Sequence, residues 1–344
     1  MFPIKIRLQK IMKKAGICLL STSILFAIPG CTPKNATYSS NNIYFDTVIT
    51  VTVYDPDHVD YIQDCFDLAA KYENLFSRTV SDSDISKINH APGEFVEVAD
   101  ETIELLEYGL YYCELSNGAF DITVGALSDT WDFKNNTGIV PNPVSIDAAL
   151  STVDYHNIII DGNKVCLAAQ GAMIDLGGIA KGYIADKMKE YLEEQGVTSA
   201  IINLGGNVLL VGSKVDGTPY TIGVQKPFDE TGTAMASVNI ADCTLVSSGV
   251  YERYFETEDG SLYHHILDTA TGYPIDNGLY GVTIICEDSV DGDALSTTVF
   301  SLGLEEGMEL IESLDKTEAI FITDEMETVI SSGISRDIPF TILE

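Results

Sequence analysis

Residues 175–182 read DLGGIAKG, a carboxylate, two adjacent glycines and a lysine at the threshold of a helical pattern. Residues of these types can hold an anion or a cation. Glycines let a ligand approach the backbone closely. The helix that follows turns its unsatisfied N–H groups and positive end toward the loop, and Lys181 adds a mobile charge. The stretch is not a Walker loop, because Ala180 precedes the lysine and Gly182 follows it, where that loop needs Gly and then Ser or Thr. It is not a G-x-G-x-x-G dinucleotide fingerprint either. Alone it leaves three readings open: a phosphate cradle, a metal corner, or a tight turn between two elements.

Three further clusters carry comparable chemistry. Residues 118–133 (GAFDITVGALSDTWDF) place Asp121 and Thr123 between two glycines and contain Trp131, the only tryptophan. That ring can serve as a core anchor or as a stacking platform. Residues 247–274 include His264 and His265, two of the five histidines. Strand neighbours face opposite ways, so only one of the pair can address a given site. Residues 291–298 (DGDALSTT) put Asp293 and Thr297 four apart on one helix face. One carboxylate with hydroxyl and carbonyl oxygens is a hard-oxygen set that suits Mg²⁺ better than Zn²⁺. An ordinary acidic helix start, favoured by the helix dipole, has the same pattern.

The elements that must position these residues follow from periodicity. Residues 43–54 alternate and are rich in β-branched types, which predicts one strand. Helical spacing predicts helices over 59–76, 102–116 and 181–194, the last stopped by Gly196. Residues 157–168 read as a hairpin around Asp161-Gly162-Asn163. Further strands are predicted at 199–204, 208–211, 220–225, 236–240, 262–267, 280–286 and 318–322, with helices at 293–302 and 308–314. Short consecutive strands outnumber helices. This favours an α+β fold, with largely antiparallel sheets packed with helices in a single domain over 43–344, rather than a doubly wound parallel sheet.

The first thirty residues read as a leader. Five basic residues precede a mostly apolar run over 15–28, the length of a signal-peptide core and short for a membrane span. It ends in Ile28-Pro29-Gly30-Cys31, similar to a bacterial lipoprotein box, so Cys31 is expected to be lipidated and residues 31–42 to act as a tether. The chain carries a net charge of −33. The leader holds five of the 19 basic residues and none of the 52 acidic ones, so the mature form is more acidic still. Such a surface repels phosphate backbones and anionic lipid headgroups, which argues against nucleic-acid binding and leaves membrane attachment to acyl chains. The five cysteines after Cys31 are scattered, with no CxxC pair, and read as core thiols.

Together, GAFDITVG, DLGGIAKG, SSGVYERYF…HHILDTATGYP and DALSTTVFSLG, in this order, resemble the ApbE-like FAD:protein FMN transferases over residues 44–321. Exported, lipid-anchored members are common in that family. The resemblance implies that Ala119, Phe120 and Asp121 line an FAD site with Asp175 and Lys181, and that Ile266 touches the flavin nucleotide. It implies a Mg²⁺ site from the Gly178 carbonyl, Asp293, Ser296 and Thr297, and His265 as general base. Phe45 and Thr79 occupy positions where the family packs adenine and isoalloxazine. The chain departs from the family there, with Phe45-Asp46-Thr47 for the usual Met-Gly-Thr and Thr79 where an aromatic residue is common. The implied reaction moves FMN from FAD to a Ser or Thr hydroxyl of an exported protein of a flavin-dependent electron-transport complex, releasing AMP. Two alternatives use the same residues: a Mg²⁺-dependent FAD pyrophosphatase, and a lipid-anchored flavin-binding protein without turnover.

Overall fold

The computed structural model of the chain describes residues 36–136 and 138–343. The predicted leader and Cys31 lie outside the described residues.

Eight strands form the central sheet, in the spatial order Tyr38–Tyr44, Thr47–Val53, Ser199–Leu204, Asn207–Gly212, Thr244–Gly249, Leu279–Cys286, Glu318–Thr323 and Thr328–Ile330. Every neighbouring pair is antiparallel. The period-2 alternation of these strands sorts their side chains to two cores. Leu209, Val211, Ile284, Ala319 and Phe321 face the helices Tyr61–Phe76, Ala180–Glu194 and Ser289–Ser313. Their neighbours Leu210, Ile285, Ile320 and Ile322 face a small three-stranded sheet that includes Tyr220–Gln225 and Ala234–Ile240. The helix Ser289–Ser313 breaks at Gly303, whose φ of 81° no helix contains, so the two predicted helices meet end to end.

The predicted strand over 43–54 is instead a hairpin. Tyr38–Tyr44 and Thr47–Val53 pair through a two-residue turn at Phe45-Asp46, with φ of 52° and 56°. Two successive positive φ values are the type I′ geometry that matches strand twist. Residues 38–42, read as tether, therefore belong to the sheet. The strand predicted over 262–267 stops at His264, because Ile266 and Leu267 turn to pair with Ile275 and Pro274.

A third apolar cluster surrounds Trp131, which is fully buried against Phe133, Phe255, Tyr263 and Tyr273. Its indole N–H donates to Gly272 O at 2.8 Å. The tryptophan is a core anchor, and it ties residues 118–133 to the turn that follows the two histidines.

Candidate active site

The glycine loop is shaped by its neighbours before any ligand is considered. Residues 122–125 run beside 173–175, with Asp175 N–H on Ile122 O at 2.8 Å and Gly125 N–H on Met173 O at 2.9 Å. A Cβ at Gly125 would lie 2.6 Å from Met173 O, so this approach requires glycine. Asp175 Oδ1 accepts from Gly177 N at 2.8 Å and folds the turn, while Oδ2 pairs with Arg78 Nε at 2.9 Å. Arg78 also bonds Asp129. One planar guanidinium thus fixes two carboxylates from separate segments. Gly178 comes next, pressed against Phe120: a Cβ there would meet Phe120 Cε2 at 3.0 Å and Thr297 Oγ1 at 3.7 Å. Phe120, Gly178 and Thr297 therefore lie side by side.

Asp293 is 2 % exposed and held on both oxygens. Oδ2 accepts from Gly182 N at 3.0 Å, and Oδ1 pairs with Lys181 Nζ at 3.2 Å. Lys181 also reaches Gly177 O at 3.4 Å. The first turn of the Ala180–Glu194 helix thus addresses Asp293 with a backbone N–H and a side-chain cation. The two helices cross closely enough that a Cβ on Gly182 would overlap Ser289 O. Ser296 is fully buried; its hydroxyl donates to Asp293 O at 2.8 Å and meets Ser248 Oγ at 2.8 Å. Ser248 Oγ lies 3.3 Å from Thr297 Oγ1. Ser296 is committed to its own helix and to Ser248, a layer behind Thr297. Ser248, in the strand Thr244–Gly249, and Arg78 are site residues that sequence reasoning missed. Ser248 stands inside a quoted motif, but in a Ser-Ser-Gly run that does not read as a central strand, and Arg78 lies outside the quoted motifs.

The two histidines have different surroundings, His264 at the end of its strand and His265 in the bend that follows. His264 is buried, with Nε2 donating to Ile275 O at 2.8 Å, Nδ1 accepting from Ile266 N at 3.3 Å, and its ring edge-on to Phe300. Every polar atom of that ring is used. His265 is half-buried, its N–H donates to Arg253 O at 3.1 Å, and its enclosed Nδ1 has no partner. Burial holds the His265 imidazole well below its ordinary pKa, and Arg253, His264 and Lys181 push the same way. The charges acting on the ring are cationic, although the chain as a whole is strongly acidic. The ring is therefore in its neutral, proton-accepting form near pH 7, while its cationic neighbours lower its basicity until an anionic ligand offsets them.

The remaining expected residues divide. Asp121 is buried, its Oδ1 taken by Thr123 N at 2.7 Å and Thr123 Oγ1 at 2.6 Å, its Oδ2 by Tyr155 N at 3.0 Å. Its carboxylate builds the loop from inside. Ala119 lies half-buried beside Phe120, and Ile266 is buried in the main core. Phe45 caps the hairpin turn, its N–H donating to Glu73 Oε1 at 2.7 Å. Asp46, which replaces a usual glycine, sits in the left-handed region that Asp tolerates better than most residues. Lys134 pairs with it at 2.7 Å. Thr79 is exposed, with its hydroxyl on Ser77 Oγ at 3.1 Å. Asp268 accepts from Ala270 N at 2.8 Å and Thr271 Oγ1 at 2.9 Å, which makes it a turn-former rather than a free base.

The four motifs converge. Gly178, Lys181, Asp293 and Thr297 form one corner, and the charge of Lys181 is felt at His265. Thr269 Oγ1 donates to Gly118 O at 2.7 Å and closes the ring of loops. Among the described residues no group of three or more His, Cys, Asp or Glu could hold a metal. A cation here would rest on one carboxylate plus neutral oxygens. The donor set fits Mg²⁺: Asp293 Oδ1 already faces a cation, and Thr297 Oγ1 lies beside Gly178 of the glycine loop.

The chain is 36% identical over 301 residues to a FAD:protein FMN transferase of Klebsiella pneumoniae, covering 87% of this chain and 93% of that protein. It is 31% identical to a FAD:protein FMN transferase of Treponema pallidum, covering 86% and 87% of the two chains. The crystal structure of the ApbE protein of Thermotoga maritima superposes with a TM-score of 0.80 at 31% identity, covering 88% of this chain and 99% of that one. The flavin transferase ApbE of Vibrio cholerae gives 0.77 at 25% identity, with the same coverage. The model of the ApbE family matches residues 45–321, a span that contains every one of the four converging motifs, and the chain belongs to that family.

Proposed function

We propose that this chain is a Mg²⁺-dependent FAD:protein FMN transferase that joins FMN to a Ser or Thr hydroxyl of a target protein and releases AMP. The observation that carries the reading is the juxtaposition of a neutral, partly exposed His265 with the Lys181–Asp293 corner. Lys181, backed by the positive end of the Ala180–Glu194 helix, receives the pyrophosphate of FAD. Phe120 and Ala119 supply apolar surface beside it. His265 takes the proton of the acceptor hydroxyl, whose oxygen attacks the FMN phosphorus as the bond to the AMP oxygen breaks. Asp293 Oδ1, Thr297 Oγ1 and the Gly178 carbonyl would hold Mg²⁺, which when bound neutralises charge on the pyrophosphate and the leaving phosphate. Ser296 and Ser248 position Thr297, and Asp175 with Arg78 shapes the loop that offers Gly178.

The test is AMP release from FAD. Chelation should stop it and added Mg²⁺ restore it. Asp293→Ala should lower it by at least about 10²-fold, the several kcal/mol that a Lewis-acid metal supplies. Full activity of that variant at ordinary Mg²⁺ would place the metal elsewhere.

The lipoprotein-like leader supports a location on the outer face of a bacterial cell membrane, held through acyl chains on Cys31. Targets there are exported proteins of flavin-dependent electron-transport complexes. Diacylglyceryl labelling should vanish in Cys31→Ala; normal labelling of that variant would remove Cys31 from the account.

A further inference from the structure

We propose that Lys181 and the divalent cation exchange at Asp293. The ammonium holds the carboxylate in the absence of FAD, and the anionic pyrophosphate draws it away and opens the carboxylate to the metal. This rests on the reading of Asp293 as the metal carboxylate. Oδ2 of Asp293 is engaged by the Gly182 N–H, so Oδ1 is the oxygen left for a cation, and Lys181 Nζ sits 3.2 Å from it. Mg²⁺ on that oxygen, at about 2.0–2.1 Å, would face an ammonium across a short gap in a nearly dry corner, where like charges repel strongly. Both cannot occupy Oδ1 at full strength. Lys181 is free to move: its side chain is 27% exposed whereas that of Asp293 is 3% exposed, and its other contact is a long one to Gly177 O at 3.4 Å. Gly177 belongs to the same glycine turn that faces the expected pyrophosphate, so the ammonium can travel from carboxylate to phosphate without leaving the loop. The consequence is a binding order built into one side chain. Metal binds weakly to the protein alone and tightly once FAD has claimed Lys181, and by linkage metal strengthens FAD binding by the same factor.

The experiment measures Mn²⁺ binding to the full folded domain without FAD, by the electron paramagnetic resonance signal of free Mn²⁺. Lys181→Met should bind Mn²⁺ about tenfold more tightly than the parent. Lys181→Gln, which keeps a polar side chain without the charge, should do the same and guards against a misfolded Met variant. Lys181→Arg should stay close to the parent. Lys187→Met, which removes a cation of the same helix that pairs with Glu104 and Glu190, should change nothing. In chelator, flavin fluorescence should show weaker FAD binding by the two uncharged Lys181 variants. Equal or weaker Mn²⁺ binding by both uncharged variants would overturn the exchange while leaving Asp293 as ligand. Undiminished Mn²⁺ binding by Asp293→Ala would instead overturn the metal site itself.

Discussion

At the scale of single residues, the account turns on two adjacent histidines. His264 has both ring nitrogens satisfied inside the fold, whereas His265 keeps an enclosed, unpartnered ring nitrogen in a half-buried residue. His265→Ala should retain FAD binding but lose flavinylation by about 10²–10⁴-fold, the usual contribution of a general base. His264→Ala should cost stability first, because it removes a buried ring and leaves Ile275 O without its donor. Covalent flavin fluorescence on an acceptor, read beside thermal unfolding, separates the two; a dead His264→Ala with an active His265→Ala would reverse the assignment. The pH dependence has a definite sign. The folded pKa of His265 lies below the unfolded value of about 6.5. The unfolded chain therefore binds more protons in the interval between them. The stability linked to this ring is complete above about 6.5 and is lost as pH falls toward the folded value. The base stays neutral over the same interval, so kcat/KM should hold steady through 6.5 and fall only in more acidic buffer. A midpoint at or above the ordinary histidine value would contradict the cationic surroundings of the ring. That only one of the two adjacent histidines addresses the site was legible in the sequence; the direction of the shift was not, since it comes first from burial of the ring and then from the charges of Arg253, His264 and Lys181, none of which the acidity of the whole chain reveals.

Elements decide whether the corner forms. The closest approach between helices near the site is at Gly182, where a side chain would overlap the Ser289 carbonyl. Gly182→Ala should force the helices apart, costing about 1–3 kcal/mol by overpacking. It should also cut AMP release, because the Gly182 N–H on Asp293 and the adjacent Lys181 move with the helix. Calorimetry and AMP assay on one preparation check both; an unchanged melting temperature with full activity would mean that the crossing can yield. Long amphipathic helices such as Tyr61–Phe76 and Ala180–Glu194 were readable from the spacing of their apolar residues. The alternation in Ser199–Leu204 and Leu279–Cys286 was readable for the same reason. The hairpin turn at Phe45-Asp46 was not, because it lacks the glycine that usually marks a two-residue turn and Phe45 gives no sign of a positive φ. The central strand Thr244–Gly249 was missed because it ends in Ser-Ser-Gly. Burial under the Ser289–Ser313 helix, with Ser248 bonded to Ser296, makes those polar residues suitable for an inner strand. Propensity is overridden there by tertiary packing.

For the molecule as a whole, the sheet and its two cores serve to bring four distant motifs to one corner, in a protein whose net charge of −33 would otherwise repel a pyrophosphate. Lys181, Arg253 and the helix end supply the local positive field that the surface lacks. The same corner can serve water as well as a protein hydroxyl, so the identity of the acceptor separates transfer from simple FAD cleavage. The most direct measurement counts AMP released and FMN covalently attached in one reaction containing FAD, Mg²⁺, this protein and an exported acceptor domain with a Ser or Thr site. The account predicts equal amounts of the two, and little AMP when the acceptor hydroxyl is replaced by Ala. AMP formed at the full rate without the acceptor, with FMN left free in solution, would contradict it and identify the protein as an FAD pyrophosphatase.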